Sequence, residues 1–149
     1  MTDRSTLRDE VVREIGREAD GPAALHRAVD LLKRGMRAYT WVGIYLLEGE
    51  ELVLGPFLGK PSPHARIPLG RGICGAAATE RATIIVDDVH ADPRYLACSL
   101  ETRSEIVVPI IRDGRVLGEI DIDSDTPAAF GAADRELLEA VAAALAERL

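Results

Sequence analysis

The chain has 149 residues, of which 47% are hydrophobic, and its formal net charge is −7. This length fits one domain with an ordinary core over residues 1–149, and no apolar stretch approaches the roughly 18 to 20 residues that cross a bilayer. Lysine and arginine are scattered rather than clustered, so neither a nucleic acid nor an anionic membrane surface is expected as a partner.

The N-terminal segment MTDRSTLRDE has no apolar core of the kind found in secretory signals, which predicts a cytoplasmic protein. Of the two cysteines, Cys74 and Cys98, neither is expected in a structural disulfide, because that compartment is reducing. Neither a C-x-x-C pair nor zinc-finger spacing occurs. His90 lies near Asp87 and Asp88, which suits a metal, but no second histidine is close. The sequence therefore predicts neither a metal nor a cofactor.

Apolar residues at helical spacing predict a helix over 5–19, and Asp20-Gly21-Pro22 ends it and starts a second helix. Strands are predicted at 40–47 and 52–57, where they form a hairpin. The stretch 59–70 holds three prolines and is expected to lack regular structure.

The second half of the chain alternates short elements before it closes on an amphipathic helix. The predictions are a helix at 72–80, a strand at 83–86, a loop at 87–101, strands at 105–111 and 115–122, and a helix at 131–148. Asp113-Gly114 between the last two strands is a strong hairpin signal. Most links between strands are too short for parallel crossovers. We therefore expect an α+β fold in which N- and C-terminal helices flank a central antiparallel sheet.

Two aromatic side chains are predicted to share one face of the first strand, because Trp41 and Tyr45 are four residues apart. They suit the wall of a pocket for a small apolar group. They suit core filling equally well.

Three acids are predicted to lie together. Asp121 and Asp123 share one strand face, and the hairpin brings Glu105, at the start of the preceding strand, beside them. Carboxyl groups this close push one pKa up, so one of them can keep a proton near neutrality and donate it to a leaving oxygen. A sheet edge facing solvent, or a metal-binding pair with Asp125, remains an alternative.

The two cysteines suit sulfur redox chemistry. Cys98 lies in a polar loop with Arg94 and Arg103 close in sequence, which would favour a nucleophilic thiolate. Cys74 lies between glycines at the start of a predicted helix, where free N–H groups would lower a thiol's pKa. A reversible bond between them would close a loop of about 24 residues, worth roughly 3 to 4 kcal/mol. Either thiol can instead be a small packed hydrophobe.

The order and spacing of these motifs resemble a GAF domain of the free methionine-(R)-sulfoxide reductase family, from about residue 8 to the C-terminus. The matching segments are 41–45, 54–61, 70–75, 87–90, 97–98, 104–109 and 118–124. The resemblance implies reduction of free methionine (R)-sulfoxide, with thioredoxin or another thiol as the reductant.

By this resemblance, Cys98 matches the nucleophile, which becomes a sulfenic acid, and Cys74 matches the middle one of the family's three cysteines. The first family cysteine falls on or near His64 instead. Cys74 then resolves oxidised Cys98 as a disulfide, or an external thiol does so, or the domain binds without turnover.

The resemblance also assigns the pocket. Trp41 and Tyr45 would enclose the substrate methyl group, and Glu105, Asp121 and Asp123 would bind the sulfoxide oxygen and the ammonium, with one acid supplying a proton. Since every pocket residue is present, we expect an active reductase, and a homodimer formed through the N-terminal helices. The alternatives are a non-catalytic GAF sensor for a small ligand and an interaction module.

Overall fold

The described residues, 3–97 and 99–149 of a computed structural model, form four α-helices and six strands. The helices are α1 (Arg4–Arg17), α2 (Gly21–Gly35), α3 (Gly72–Glu80) and α4 (Ala132–Ala146). The strands are β1 (Trp41–Glu48), β2 (Glu51–Leu58), β3 (Arg66–Pro68), β4 (Ile84–Val86), β5 (Ser104–Arg112) and β6 (Arg115–Ser124). A 3-10 turn occupies Val89–Ala91.

The six strands form one sheet in the order β3-β2-β1-β6-β5-β4, and each neighbouring pair is antiparallel. The expected α+β fold with an antiparallel sheet is thereby confirmed. Strands β1 and β6 are central, so both edges of β6 are occupied by β1 and β5. The residues of β6 from Gly118 to Ser124 are buried, whereas Arg115 at its start is exposed.

The sheet has two faces with different neighbours. Val42 and Ile44 of β1 pack into the main core, which helices α1, α2 and α4 cover. Trp41 and Tyr45 alternate with them and belong to a second, smaller cluster with residues of α3. The period-two alternation of the strand thus separates a structural face from a face that carries the candidate site.

The apolar stripe of α1 is buried within the chain itself, because Leu7, Val11 and Ile15 pack against α2 and α4. Among the described residues, no helix combines the length and the apolar character needed to traverse a lipid bilayer. The homodimer through these helices stays a prediction.

The hairpin between β5 and β6 turns at two residues in the left-handed region, with φ of 52° at Asp113 and 76° at Gly114. Such a turn matches the twist of the flanking strands, and the Asp-Gly prediction is confirmed. The stretch 59–70 was expected to be irregular, and this prediction is wrong for β3. Its three residues pair with the start of β2, and Pro68 is tolerated because β3 is an edge strand.

Candidate active site

Strand β6 carries three acids on one face. Glu119, Asp121 and Asp123 alternate with Ile120 and Ile122, which lie in the main core. The acids are nonetheless 0%, 2% and 2% exposed. The alternative of a solvent-facing edge is therefore wrong for Asp121 and Asp123, because β6 lies inside the sheet.

Neighbouring strands bring the other predicted site residues to the same place. Asp123 is paired with Trp41 of β1 on one side and with Glu105 of β5 on the other. Glu119 is paired with Tyr45 in the same way. We call Glu105, Glu119, Asp121 and Asp123 the buried acid cluster.

The buried acid cluster favours protonated carboxyl groups. Burial raises the pKa of Glu105, Glu119 and Asp123 well above their usual range, and the charge of Asp121 raises each of them further. Burial also raises the pKa of Asp121, but hydrogen bonds from Glu105 and Cys74 oppose this. Asp121 is thus the member that most readily holds a negative charge, and its neighbours favour the protonated form.

Several oxygen atoms of the buried acid cluster have no hydrogen-bond partner among the described residues. They are both carboxyl oxygens of Glu119, Oδ1 of Asp121 and Oδ1 of Asp123. Buried polar groups normally find partners. Such a group of acceptors suits a cationic or hydrogen-bond-donating ligand.

Cys74 lies in the first turn of α3 and is 5% exposed. Its Sγ and one carboxyl oxygen each of Glu105 and Asp121 all lie within 4.8 Å of one another. Burial raises the pKa of the Cys74 thiol well above its usual range, and the charges of Asp121, Glu119 and Glu105 raise it further. The expectation that the helix N-terminus lowers this pKa is therefore wrong, because desolvation and nearby carboxylates outweigh the helix dipole.

Trp41 is held in place from two sides. Its indole Nε1 donates a hydrogen bond of 2.9 Å to the carbonyl of Lys60, and its ring stacks on Phe57 at a centroid distance of 5.7 Å. Gly43 leaves room for the ring, since a Cβ at this position would lie 2.2 Å from a Trp41 ring atom. The indole is thus a fixed wall above the buried acid cluster.

Tyr45 is tied to the loop that precedes β3. Its hydroxyl donates a hydrogen bond of 2.8 Å to the carbonyl of His64, whose Nε2 lies 3.0 Å from the carbonyl of Ala97. His64 therefore links Tyr45 to the segment next to Cys98. Cys98 itself lies outside the described residues.

Two cavities meet the candidate site. The outer one has a volume of about 390 Å³ and is lined by Lys33, Thr40, Trp41, Leu58, Gly59, Lys60, Ser99, Thr102, Asp123 and Asp125. The inner one has only about 10 Å³ and is lined by Tyr45, His64, Ile67, Gly72, Ile73, Cys74, Leu96, Glu105 and Asp121. The predicted site residues are therefore brought together on one sheet face, but they are divided between a large cavity and a much smaller one.

The other residues that the sequence suggested for the site or for a metal have other contacts. Arg94 pairs with Asp92 at 2.8 Å, so its charge is already engaged. His90 follows Asp88, whose side chain accepts from the His90 backbone N–H, and its ring packs edge-on against Tyr95. Asp125 is exposed and lines the outer cavity.

Glu119 is the site residue that sequence reasoning did not select. Its position two residues before Asp121 on the same strand is the signal that would have included it, because alternate strand residues share a face. Its full burial depends on β1 and β5, which the alternation alone does not reveal.

The GAF domain family profile matches residues 20–149. Free methionine-R-sulfoxide reductase of Escherichia coli K12 is 38% identical over 123 residues, which are 83% of this chain and 74% of that protein. The chain belongs to the GAF-domain free methionine-R-sulfoxide reductase family.

Two further comparisons extend this family assignment. The yeast free methionine-R-sulfoxide reductase, from Saccharomyces cerevisiae, is 47% identical over 107 residues, which cover 69% of this chain and 59% of that protein. The crystal structure of the Neisseria meningitidis free methionine-R-sulfoxide reductase in complex with its substrate matches with a TM-score of 0.93 and 38% identity. That match covers 99% of this chain and 91% of the Neisseria chain. The chain spans 63% and 59% of the first two curated relatives it matches.

Proposed function

We propose that this protein reduces free L-methionine (R)-S-oxide to methionine through a cysteine thiol. The observation that carries the proposal is the buried acid cluster beneath Trp41 and Tyr45, in a member of a family named for this reaction. The active site then comprises Cys98, Cys74, Trp41, Tyr45 and the acids.

The substrate is a zwitterion with a polar sulfoxide next to an apolar methyl group. Asp121, the acid that most readily ionises, would receive the ammonium, and the ring of Trp41 would cover the methyl. An amide in a peptide chain carries no ammonium, so the same arrangement discriminates free methionine sulfoxide from the residue in a protein. The proposed substrate is therefore the free amino acid.

The reaction starts with attack of the Cys98 sulfur on the sulfoxide sulfur. The sulfoxide oxygen passes to Cys98, which becomes a sulfenic acid, while methionine leaves with its sulfur reduced by two electrons. Glu105 and Asp123 are the candidate proton donors for the departing oxygen, because burial raises the pKa of each carboxyl group well above its usual range. Glu105 contacts both Asp121 and Asp123, so an acid that favours its proton lies next to the one that most readily ionises.

The cycle closes when a second thiol attacks the Cys98 sulfenic acid, which forms a disulfide and releases water. Cys74 is our candidate for this thiol, since the first family cysteine is replaced near His64. Thioredoxin or another dithiol then reduces the disulfide. The raised pKa of the Cys74 thiol makes it a slow nucleophile until its proton is removed. A small external thiol is therefore the competing route.

A coupled assay tests the activity. The purified chain is mixed with thioredoxin, thioredoxin reductase and NADPH, and each epimer of free methionine sulfoxide is added separately. NADPH should be consumed with the R epimer only, and Cys98→Ser should abolish this consumption. Tight binding of the sulfoxide without turnover would instead indicate a non-catalytic GAF sensor.

The resolving thiol is tested with Cys74→Ser in the same assay. If Cys74 resolves Cys98, this variant loses turnover with thioredoxin and regains it with dithiothreitol. Full activity with thioredoxin would contradict the role of Cys74 and leave the external thiol. The cytoplasmic location and the homodimer belong to the same proposal, and the dimer is checked by light scattering of the purified chain.

A further inference from the structure

Cys74, Glu105 and Asp121 present one sulfur and two oxygen atoms to the same point. The three atoms lie within 4.8 Å of one another, and all three residues are buried. They come from three different elements, α3, β5 and β6. Local sequence spacing therefore gives no sign of this grouping, and the sequence-based expectation of no metal rested on that spacing alone.

We propose that these three side chains bind one soft divalent cation of the Zn²⁺ or Cd²⁺ class at the inner end of the buried acid cluster. Bonds of about 2.0 to 2.3 Å from zinc to oxygen and sulfur put ligand atoms roughly 3 to 4 Å apart, so the three atoms reach one ion after a small side-chain adjustment. One thiolate and one ionised carboxylate would neutralise the dication where no water can screen it, and the second carboxyl group would supply a further oxygen ligand.

A second observation points to a ligand in the same place. Oδ1 of Asp121 and both carboxyl oxygens of Glu119 have no hydrogen-bond partner among the described residues, although these side chains are 2% and 0% exposed. Glu119 also interacts with the Cys74 thiol, so this carboxyl group lies near the proposed ion, and Asp121 itself lines the inner pocket. These unpartnered atoms are what distinguish the site from an ordinary group of acids.

The size of the pocket selects the class of ion. The inner pocket measures about 10 Å³, which is room for one ion or water and not for a hydrated complex. Mg²⁺ keeps several of its waters, and Ca²⁺ takes six to eight oxygen ligands. A thiolate ligand favours zinc or cadmium over both of them.

Cadmium titration of the reduced full-length protein tests the site through the ultraviolet charge-transfer band of a Cd–thiolate bond. The band should saturate at one ion per chain. It should disappear in Cys74→Ser and persist in Cys98→Ser, which removes the other thiol. A band that survives in Cys74→Ser, or vanishes in Cys98→Ser, would overturn the proposal.

Acid variants test the oxygen ligands without removing the thiol. Asp121→Asn and Glu105→Gln should each weaken cadmium binding at least tenfold, and Asp125→Asn, an exposed acid outside the group, should leave it unchanged. Circular dichroism checks that each variant is folded, and if Cys74→Ser fails this check the acid variants decide. Equal affinity in Asp121→Asn and Asp125→Asn would refute the assignment.

If the proposed function is right, the ion and methionine sulfoxide cannot bind at the same time, because both would contact Asp121 and Glu105. If the protein is an active reductase, Zn²⁺ should inhibit it competitively with methionine sulfoxide, and inhibition independent of substrate concentration would refute this part. The cadmium band does not depend on turnover. If the protein shows the band but has no reductase activity, the proposed reductase function is wrong and the proposed metal site stands.

Discussion

Replacement of Glu119 by methionine is expected to stabilise the fold. Glu119 is 0% exposed, neither of its carboxyl oxygens has a well-formed hydrogen bond among the described residues, and the neighbouring Cys74 thiol is only a weak donor. A buried polar group without partners costs about 1 to 3 kcal/mol. Methionine has a similar length and adapts to irregular space without a polar atom. We expect the unfolding free energy to rise by about 2 kcal/mol, which for a chain of this size is roughly 4 to 8 °C in melting temperature.

The gain in unfolding free energy in Glu119→Met should depend on pH. Burial raises the pKa of Glu119 above its usual 4.5, so the folded protein keeps a proton that the unfolded chain releases. The contribution of Glu119 to the unfolding free energy is therefore greatest below about pH 4.5 and falls as the pH rises towards the folded-state pKa. Since methionine does not titrate, the advantage of the variant should widen as the pH rises above about 4.5.

Urea unfolding at several pH values measures this difference, with Glu136→Met as the matched control. Glu136 is exposed on α4, so its replacement should change the unfolding free energy by less than about 0.5 kcal/mol. A Glu119→Met protein that is less stable than the wild type would refute the reasoning, because Glu119 would then have a stabilising partner. An advantage that narrows with rising pH would show that its pKa is lowered.

Two other substitutions test the position of the Trp41 ring and the buried hydrogen bond between Tyr39 and Asp134. Gly43→Ala places a Cβ 2.2 Å from the ring of Trp41, so the indole must move; we expect KM for methionine sulfoxide to rise about tenfold in the coupled assay. Gly16→Ala, with nothing within 4 Å of the added carbon, is the control, and equal kinetics in the two variants would contradict a fixed indole. Asp134→Ala removes the acceptor of a 2.6 Å hydrogen bond from the buried Tyr39 hydroxyl and should cost about 3 kcal/mol in urea unfolding. A loss below about 1 kcal/mol would show that the hydroxyl finds another partner.

The alternation of side chains between the two faces of each strand accounts for most of the correct fold prediction. Trp41 and Tyr45 are on one face and Val42 and Ile44 on the other, as a period of two requires. The helix at 72–80 was also predicted with its observed bounds, because glycine and alanine there permit close packing. Local composition was enough to predict these elements, because their tertiary contacts favour the same secondary structure as the residues themselves.

Tertiary neighbours explain what the sequence did not predict. β3 forms because β2 offers it an edge, and Ile67 is the one residue among its three that favours a strand, which is too short a signal to predict one. The pKa of the Cys74 thiol has the opposite sign from that expected, because acids on β5 and β6 approach it from distant parts of the chain. Glu119 was missed for the same reason, since its burial depends on strands on both sides of it.

Isoleucine and acidic residues alternate along β6. An insertion or deletion in this strand would therefore disrupt the fold, whereas a substitution of one acidic residue would not. One residue inserted after the Asp113–Gly114 turn would move every carboxyl group of β6 into the helix-covered core and every isoleucine out of it. A substitution at Asp121 or Asp123, by contrast, leaves the isoleucine layer untouched. Descendants of this chain can therefore exchange one ligand chemistry for another, provided that they conserve the number of residues in this hairpin.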